Sequence, residues 1–130
     1  MIKFAYTILY VKDVEKSIDF YERAFGFKRK FIAPVNSYGE LNTGDTTLSF
    51  ASIELAKTNL KDGFIESGNT KKPFAIEIAF TTDDVEATYK KAIEEGAIAE
   101  SPAKYKPQGQ TVAYVRDPDG FLIEICTPMG

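Results

Sequence analysis

The chain has 130 residues, which is enough for one compact domain with a buried core, and its 44% apolar and 27% charged residues are ordinary for a globular protein. Its net charge of −3 gives no basic face for nucleic acid, so we expect no nucleic-acid partner. No apolar run is long enough to cross a bilayer, so we expect no membrane partner either.

The first half of the chain predicts a strand, a helix and three further strands. Residues 6–11 are rich in β-branched and aromatic side chains, which indicates a strand. Asp13 is placed to cap a helix whose apolar side chains recur at helical spacing until Gly26, where a glycine can end the helix. Three extended stretches follow, at residues 27–32, 38–42 and 46–51.

The second half repeats this pattern. The Asp-Val-Glu step at residues 84–86 matches the one at residues 13–15, an offset of 71 that is the difference between 84 and 13. The same offset pairs Tyr6 with Glu77. The strand, the helix cap, the apolar stripe and the glycine that ends the helix all align between the two halves. This agreement indicates a true internal repeat.

The elements of the second half follow in the same order. Asp83 and Glu86 are spaced for a capping box, and Gly96 is placed to end the helix. Further strands are predicted at residues 99–101, 111–116 and 121–126, with a turn formed by Asp-Pro-Asp-Gly between the last two. The polar, glycine-containing stretch that precedes this half predicts a linker.

Each half therefore reads as βαβββ, and the fold class is α+β. A unit of about fifty residues buries too little apolar surface to be stable alone. We expect one domain over residues 1–130, in which modules at about 4–56 and 74–127 are joined by a linker at about 57–73. A pseudo-twofold axis would relate the modules, and their sheets would share a core and cup a cavity.

Two segments carry a resemblance to a known family. They are VKDVEKSIDFYERAFGF at residues 11–27 and VRDPDGFLIEI at residues 115–125. With them the chain resembles the vicinal oxygen chelate superfamily, which includes glyoxalase I, bleomycin-resistance proteins, fosfomycin-resistance enzymes and extradiol dioxygenases. The resemblance implies tandem βαβββ modules, a cupped mixed β-sheet with helices on its outer face, and a homodimer with its ligand site in the cup.

The resemblance also implies four metal-ligand positions, which fall on Tyr6, Ser49, Glu77 and Glu124. Family enzymes have His, a carboxylate, His and Glu there, so only Glu124 matches. The chain contains no histidine at all, and a tyrosine with a pKa near 10 is a poor ligand for a divalent metal. We expect no cofactor and no metal; a divalent metal, if bound, would be held by Glu77 and Glu124.

Strand parity divides the side chains between two faces. Tyr10 shares the face of the four metal positions, together with Ile8, Thr47 and Leu122, and the predicted ligand-binding residues are Tyr6, Tyr10, Ser49, Glu77 and Glu124. The opposite face is expected to lie under the helices and comprises Leu9, Val11, Leu48, Phe50, Ile76, Ile78, Phe80, Ile123 and Ile125.

Two carboxyl groups in an apolar cavity should raise the pKa of at least one of them, because burial and mutual repulsion both disfavour the second charge. Such a site suits an amine or guanidinium on a ligand. The alternative is a structural ion pair with a side chain such as Arg116 or Lys28. Ser49 has no base to activate it, and the single cysteine, Cys126, is expected to be buried and inert.

Two functions of different class remain open. The missing histidines favour a metal-free protein that sequesters a small aromatic or cationic drug or metabolite, as antibiotic-resistance members of the bleomycin-resistance branch do. The alternative is a family enzyme, a glyoxalase-like lyase or isomerase or a dioxygenase, with a site rebuilt on Glu77 and Glu124. A lone cysteine cannot form an internal disulfide, which favours the cytoplasm.

Overall fold

A computed structural model describes residues 1–129, and the chain divides into two compact units with the boundary between Glu66 and Ser67. Unit 1 contains β1 (Tyr6–Val11), α1 (Val14–Phe25), β2 (Lys28–Ile32), a 3₁₀ turn (Pro34–Asn36), β3 (Tyr38–Asn42), β4 (Thr47–Ser52) and α2 (Ile53–Asn59). Unit 2 contains β5 (Ile78–Thr81), α3 (Val85–Glu94), β6 (Ile98–Tyr105), β7 (Thr111–Arg116) and β8 (Leu122–Cys126). The α+β class and the βαβββ order of both halves are confirmed.

The two units have the same sheet topology. Unit 1 has the strand order β1-β4-β3-β2, and unit 2 has the order β5-β8-β7-β6. In each sheet the first strand is parallel to the last, and the other neighbours are antiparallel. The repeat seen in the sequence is therefore a repeat of strand pairing as well.

The observed helix cap matches the sequence prediction in unit 1 and differs from it in unit 2. The Asp13 side chain accepts a 3.1 Å hydrogen bond from the Lys16 amide, and Gly26 ends α1 with a φ of 76°. In unit 2 the cap is Asp84, whose side chain accepts a 3.0 Å hydrogen bond from the Ala87 amide. The predicted capping box of Asp83 and Glu86 is wrong because the helix begins one residue later.

One helix was missed by the sequence analysis. Ser52 caps α2 by accepting a 3.1 Å hydrogen bond from the Leu55 amide, and Ile53 and Ala56 bury its inner side. The linker predicted at residues 57–73 therefore overlaps the C-terminal end of this helix. The exposed polar residues of α2 gave it the composition of a linker. No helix within residues 1–129 is long and apolar enough to cross a membrane.

The core of each unit lies between its sheet and its helix. Most of the side chains expected under the helices are buried, namely Leu9, Val11, Leu48, Phe50, Ile123 and Ile125. Gly39 lies on this face of β3, where an added Cβ would come within 2.6 Å of Ile18 Cδ1. A glycine is therefore needed for α1 to pack this closely.

The parity prediction fails at the start of unit 2. Ile76 is 66% exposed rather than buried, and Ile78 and Phe80 are half-buried. The reason is that β5 begins only at Ile78, so the alternation of side chains does not extend back to Ile76. Strand β6 is longer than predicted and contains Pro102, which an edge strand tolerates.

Candidate functional site

Glu77 and Glu124 lie together in unit 2. Glu124 is the central residue of β8, and its neighbour on β5 is Ala79. Glu77 immediately precedes β5, and its carboxyl group shares a hydrogen bond with that of Glu124. On the other side of Glu124 the Tyr114 hydroxyl donates a 3.0 Å hydrogen bond to Glu124 Oε1. The structure thus forms the carboxyl pair that the sequence predicted.

The two carboxyl groups differ in proton affinity. Glu77 is an exposed residue, and partial loss of solvation, the hydrogen bond with Glu124 and repulsion from its charge raise its pKa to about 7. Burial also acts to raise the pKa of Glu124, but hydrogen bonds from Glu77, Cys126 and Tyr114 outweigh it and lower that pKa. The expected rise in the pKa of one carboxyl is found at Glu77, and below about pH 7 the pair holds one proton, mainly on Glu77.

Two neutral groups border this pair. Burial, the hydrogen bond to Glu124 and the nearby negative charge raise the pKa of Tyr114 to about 12. The Cys126 thiol is 4% exposed, and burial together with Glu124 raises its pKa to about 11. Both groups stay protonated at neutral pH and act as donors to Glu124. Cys126 is therefore inert as a nucleophile, as expected.

The ion pairs considered as an alternative are not formed. Arg116 is buried, but its Nε donates a 3.0 Å hydrogen bond to the Gly120 carbonyl and its Nη2 a 3.0 Å hydrogen bond to the Gly68 carbonyl. Lys28 is an exposed residue at the start of β2 in unit 1. Within residues 67–129 no ammonium or guanidinium pairs with Glu77 or Glu124, so the carboxyl pair has no internal cation.

The other predicted ligand residues lie in unit 1. Tyr6 begins β1 and is 52% exposed, while Ser49 on β4 is fully buried. Ile8 is the neighbour of Ser49 in the sheet, so parity places Tyr6, Tyr10 and Ser49 on one face. The ring of Tyr10 packs edge-on against Phe64, with centroids 4.9 Å apart. Each unit therefore carries its own group of predicted residues.

One polar residue on this face was missed by the sequence analysis. Glu40 on β3 is directly opposite Ser49 in the sheet and is only 6% exposed. The Tyr38 hydroxyl donates a 2.7 Å hydrogen bond to Glu40 Oε2, and Lys30 Nζ lies 3.8 Å from Oε1. The alternation of β3, with Gly39 and Leu41 under the helix, was the signal that could have placed Glu40 on this face.

The donor set does not fit a resident metal of the kind that family enzymes use. Across residues 1–129, no group of three His, Cys, Asp or Glu side chains could hold a metal ion. Glu77 and Glu124 supply two carboxyl groups, and the neighbouring Tyr114 is protonated. Two carboxyl groups are too few ligands for such a metal site.

Comparison with known proteins gives consistent results. The YraH protein of Bacillus subtilis is 30% identical over 119 residues, which cover 90% of this chain and 91% of that protein. A putative lactoylglutathione lyase of Brassica oleracea is 31% identical over 127 residues, but the chain spans only 43% of its length.

Solved structures show the same fold. A glyoxalase-related enzyme from Fulvimarina pelagi superposes with a TM-score of 0.83 at 21% identity, covering 98% of this chain and 89% of that one. The model of the Glyoxalase/Bleomycin resistance protein/Dioxygenase superfamily matches residues 3–125, almost the whole chain. With its two βαβββ units and the motifs at residues 11–27 and 115–125, the chain belongs to this superfamily.

Proposed function

We propose that the chain is a metal-free binding protein that takes up a small cationic molecule at Glu77 and Glu124. The observation that carries this proposal is a pair of facing carboxyl groups with which no ammonium or guanidinium of the described residues 67–129 is paired. Facing carboxylates repel each other and lose solvation, so an amine or guanidinium would stabilise the ionised pair. Hydrogen bonds between such a cation and carboxylates are charge-assisted and strong.

Proton release should accompany this binding. Because one proton is held mainly by Glu77, an arriving cation must displace it to meet two carboxylates. Tyr114 and Cys126, which face the pair, remain protonated and hold Glu124 in place. The apparent affinity is therefore expected to fall about tenfold per pH unit below the pKa of Glu77. Binding at pH 8 should exceed binding at pH 6.

We further propose that the protein sequesters a drug or metabolite without transforming it, in the cytoplasm and as a homodimer. Membership of a superfamily that includes bleomycin-resistance proteins supports sequestration. A free, buried Cys126 is compatible with a reducing compartment. Membership of the same superfamily supports the homodimer.

The test is a thermal-shift screen of cationic antibiotics, amines and guanidines against neutral analogues at pH 8. Compounds that raise the melting temperature are then titrated calorimetrically into wild type and into Glu77→Gln/Glu124→Gln. The control is Glu94→Gln/Glu100→Gln, which makes the same charge change at two exposed residues. Binding should be lost only in the first double variant, and equal binding by both would contradict the proposal.

The melting temperature of the empty Glu77→Gln/Glu124→Gln protein gives a second readout. Because no internal cation is left unpaired, we expect little change or a rise. Breaking a buried ion pair would instead cost roughly 3–5 kcal/mol. A large drop in melting temperature would therefore show that the two carboxyl groups serve the scaffold.

A second candidate function is a lyase or isomerase of this superfamily, with a dioxygenase as the other enzymatic form. Two observations favour it: a carboxyl with its pKa raised to about 7 is suited to move protons at neutral pH, and the Brassica oleracea relative is a putative lactoylglutathione lyase. Glu77 would be the acid–base group. Metal analysis of protein purified without chelator and an assay with methylglyoxal and glutathione decide between the candidates. Near-stoichiometric metal, or turnover lost in Glu77→Gln, would replace the binding proposal.

A further inference from the structure

Arg116 is a buried arginine that joins two parts of unit 2 through backbone carbonyl groups. Its exposed fraction is 6%, and its Nε donates a 3.0 Å hydrogen bond to the Gly120 carbonyl, in the turn between β7 and β8. Its Nη2 donates a 3.0 Å hydrogen bond to the Gly68 carbonyl, in the chain before β5. Because a guanidinium can donate in several directions at once, this one side chain links the turn to the segment 67–77.

Each of the linked parts leads to one member of the carboxyl pair. Strand β8 starts two residues after Gly120 and carries Glu124 at its centre. The segment 67–77 contains no helix or strand and ends in Glu77, immediately before β5. The pairing of β5 with β8 starts at Ile78, one residue after Glu77. The sheet alone therefore does not fix the position of the Glu77 side chain.

Two further contacts hold the segment 67–77 near the turn. The Asn69 side chain donates a 3.2 Å hydrogen bond from Nδ2 to the Pro118 carbonyl. The ring of Phe74 packs edge-on against that of Phe121, with 6.2 Å between the centroids. These contacts lie on the same side of the segment as the hydrogen bond from Arg116, so the segment is attached to the turn region at more than one point.

The corresponding turn of unit 1 shows that an arginine is not needed to form the turn itself. Gly44, between β3 and β4, has the same φ of 92° as Gly120. Among the described residues 1–129, nothing lies within 4 Å of a Cβ added at Gly44, whereas one added at Gly120 would lie 2.5 Å from the Gly68 carbonyl. In unit 2 a second segment therefore lies directly against the turn, and Arg116 binds both.

We propose that Arg116 is a positioning residue, which holds Glu77 beside Glu124. It does so by binding the segment 67–77 to the turn at Gly120. This inference deepens the proposed function and rests on its carboxyl pair. Without the bridge the segment can move away from the turn, so that the two carboxyl groups no longer meet the same cation.

Two variants of Arg116 test the bridge. In Arg116→Gln an amide nitrogen takes the place of Nε and can still donate to Gly120, but the side chain is too short to reach Gly68. Arg116→Lys is the conservative variant, because its longer, charged side chain can still donate to Gly68. The measurement is the set of NOE cross-peaks between the side-chain methylene protons of Glu77 and Glu124, in the ¹³C-labelled full chain.

We expect the cross-peaks in wild type and in Arg116→Lys, and we expect them to be lost in Arg116→Gln. A residue that only stabilised the fold would lower the free energy of unfolding and leave the cross-peaks of the folded protein unchanged. Arg29→Gln is the control, because Arg29 Nη2 donates a 2.8 Å hydrogen bond to Glu22 in unit 1. This variant should lose stability and keep the cross-peaks. Cross-peaks that persist in folded Arg116→Gln would overturn the inference.

A second variant breaks the same attachment without changing Arg116. In Gly120→Ala the added Cβ displaces Gly68 from the turn, so the cross-peaks should be lost, whereas Gly44→Ala should keep them. If Arg116→Gln does not fold, this pair decides, because cross-peaks retained in Gly120→Ala contradict the inference.

The NOE measurement needs no ligand, so the two proposals can fail separately. Loss of the cross-peaks in Arg116→Gln, together with no cation binding by wild type, would overturn the proposed function alone. Cation binding by wild type, with the cross-peaks retained in Arg116→Gln, would overturn this inference alone.

Discussion

The Tyr114 hydroxyl donates a hydrogen bond to Glu124 Oε1, with 3.0 Å between the two oxygens. Unit 1 contains the same pair of groups in a different arrangement, since the Tyr38 hydroxyl donates to Glu40 Oε2 at 2.7 Å. In unit 2 the charged form of Glu124 is stabilised first by the hydrogen bond with Glu77, then by that of Cys126 and then by this bond from Tyr114. The phenol is therefore one of three groups that keep Glu124 charged and the proton on Glu77.

Replacing Tyr114 by Phe should raise the pKa of Glu124. The substitution removes a donor that stabilises the carboxylate but keeps the ring. Carbon-detected NMR of the glutamate carboxyl groups as a function of pH measures the change. Tyr105→Phe is the matched control, because Tyr105 is 76% exposed. An unchanged Glu124 titration in Tyr114→Phe would show that the hydrogen bond does not set this pKa.

The stability of the protein should fall as pH rises from about 5 to about 8. Glu77 has a pKa of 4.5 as a free side chain and about 7 in the fold, so its protonated form favours the folded state, and that contribution is lost as pH rises through 7. Urea unfolding at both pH values measures the slope. Glu77→Gln should remove it, whereas Glu94→Gln should retain it; a slope that persists in Glu77→Gln would contradict the assignment.

Gly120→Ala should destabilise the protein by about 2–5 kcal/mol, the sum expected for a left-handed backbone and for overpacking. Gly120 has a φ of 92°, and an added Cβ would lie 2.5 Å from the carbonyl carbon and oxygen of Gly68. Gly44 has the same φ, but nothing lies within 4 Å of an added Cβ. Gly44→Ala therefore measures the backbone cost alone, about 1–2 kcal/mol. Equal losses of unfolding free energy would rule out the close approach to Gly68.

Val35→Asn should stabilise the protein by about 1 kcal/mol, because asparagine tolerates a left-handed backbone and valine does not. Val35 has a φ of 55° and is 95% exposed, so the substitution loses almost no buried surface. Ile65→Asn is the control, since Ile65 is also exposed (79%) and its φ is not positive. Urea unfolding compares the two variants. An equal gain in unfolding free energy in both variants would show that replacing an exposed apolar side chain, and not relief of backbone strain, stabilises the protein.

Strand position was predictable where β-branched or aromatic residues lie close together in the chain. The bounds of β1, β3 and β7 match the predicted residues 6–11, 38–42 and 111–116. An element was missed where the chain buries only a few side chains. Helix α2 buries only Ile53 and Ala56, which is too few apolar positions to reveal a helical period.

Only part of the candidate site could be predicted from the sequence. Glu77 and Glu124 could be placed together because both fall on metal-ligand positions that the family resemblance implies. The alternation of β3 could have placed Glu40 on the face of Ser49. Its burial beside Tyr38 and Lys30, and the register that brings Ser49 opposite it, are not legible in one sequence. The pKa of Glu77 also required the hydrogen bonds around Glu124.

The parallel pairing of the first and last strand in each sheet sets the order in which the chain can fold. Tyr6 on β1 pairs with Thr47 on β4, so this strand pair closes a loop of about forty residues. Such long-range pairing is a slow step in folding. All pairings of that sheet lie within residues 6–52, and those of the other within residues 78–126. During synthesis the first sheet can therefore be complete while the ribosome is still translating the strands of the second.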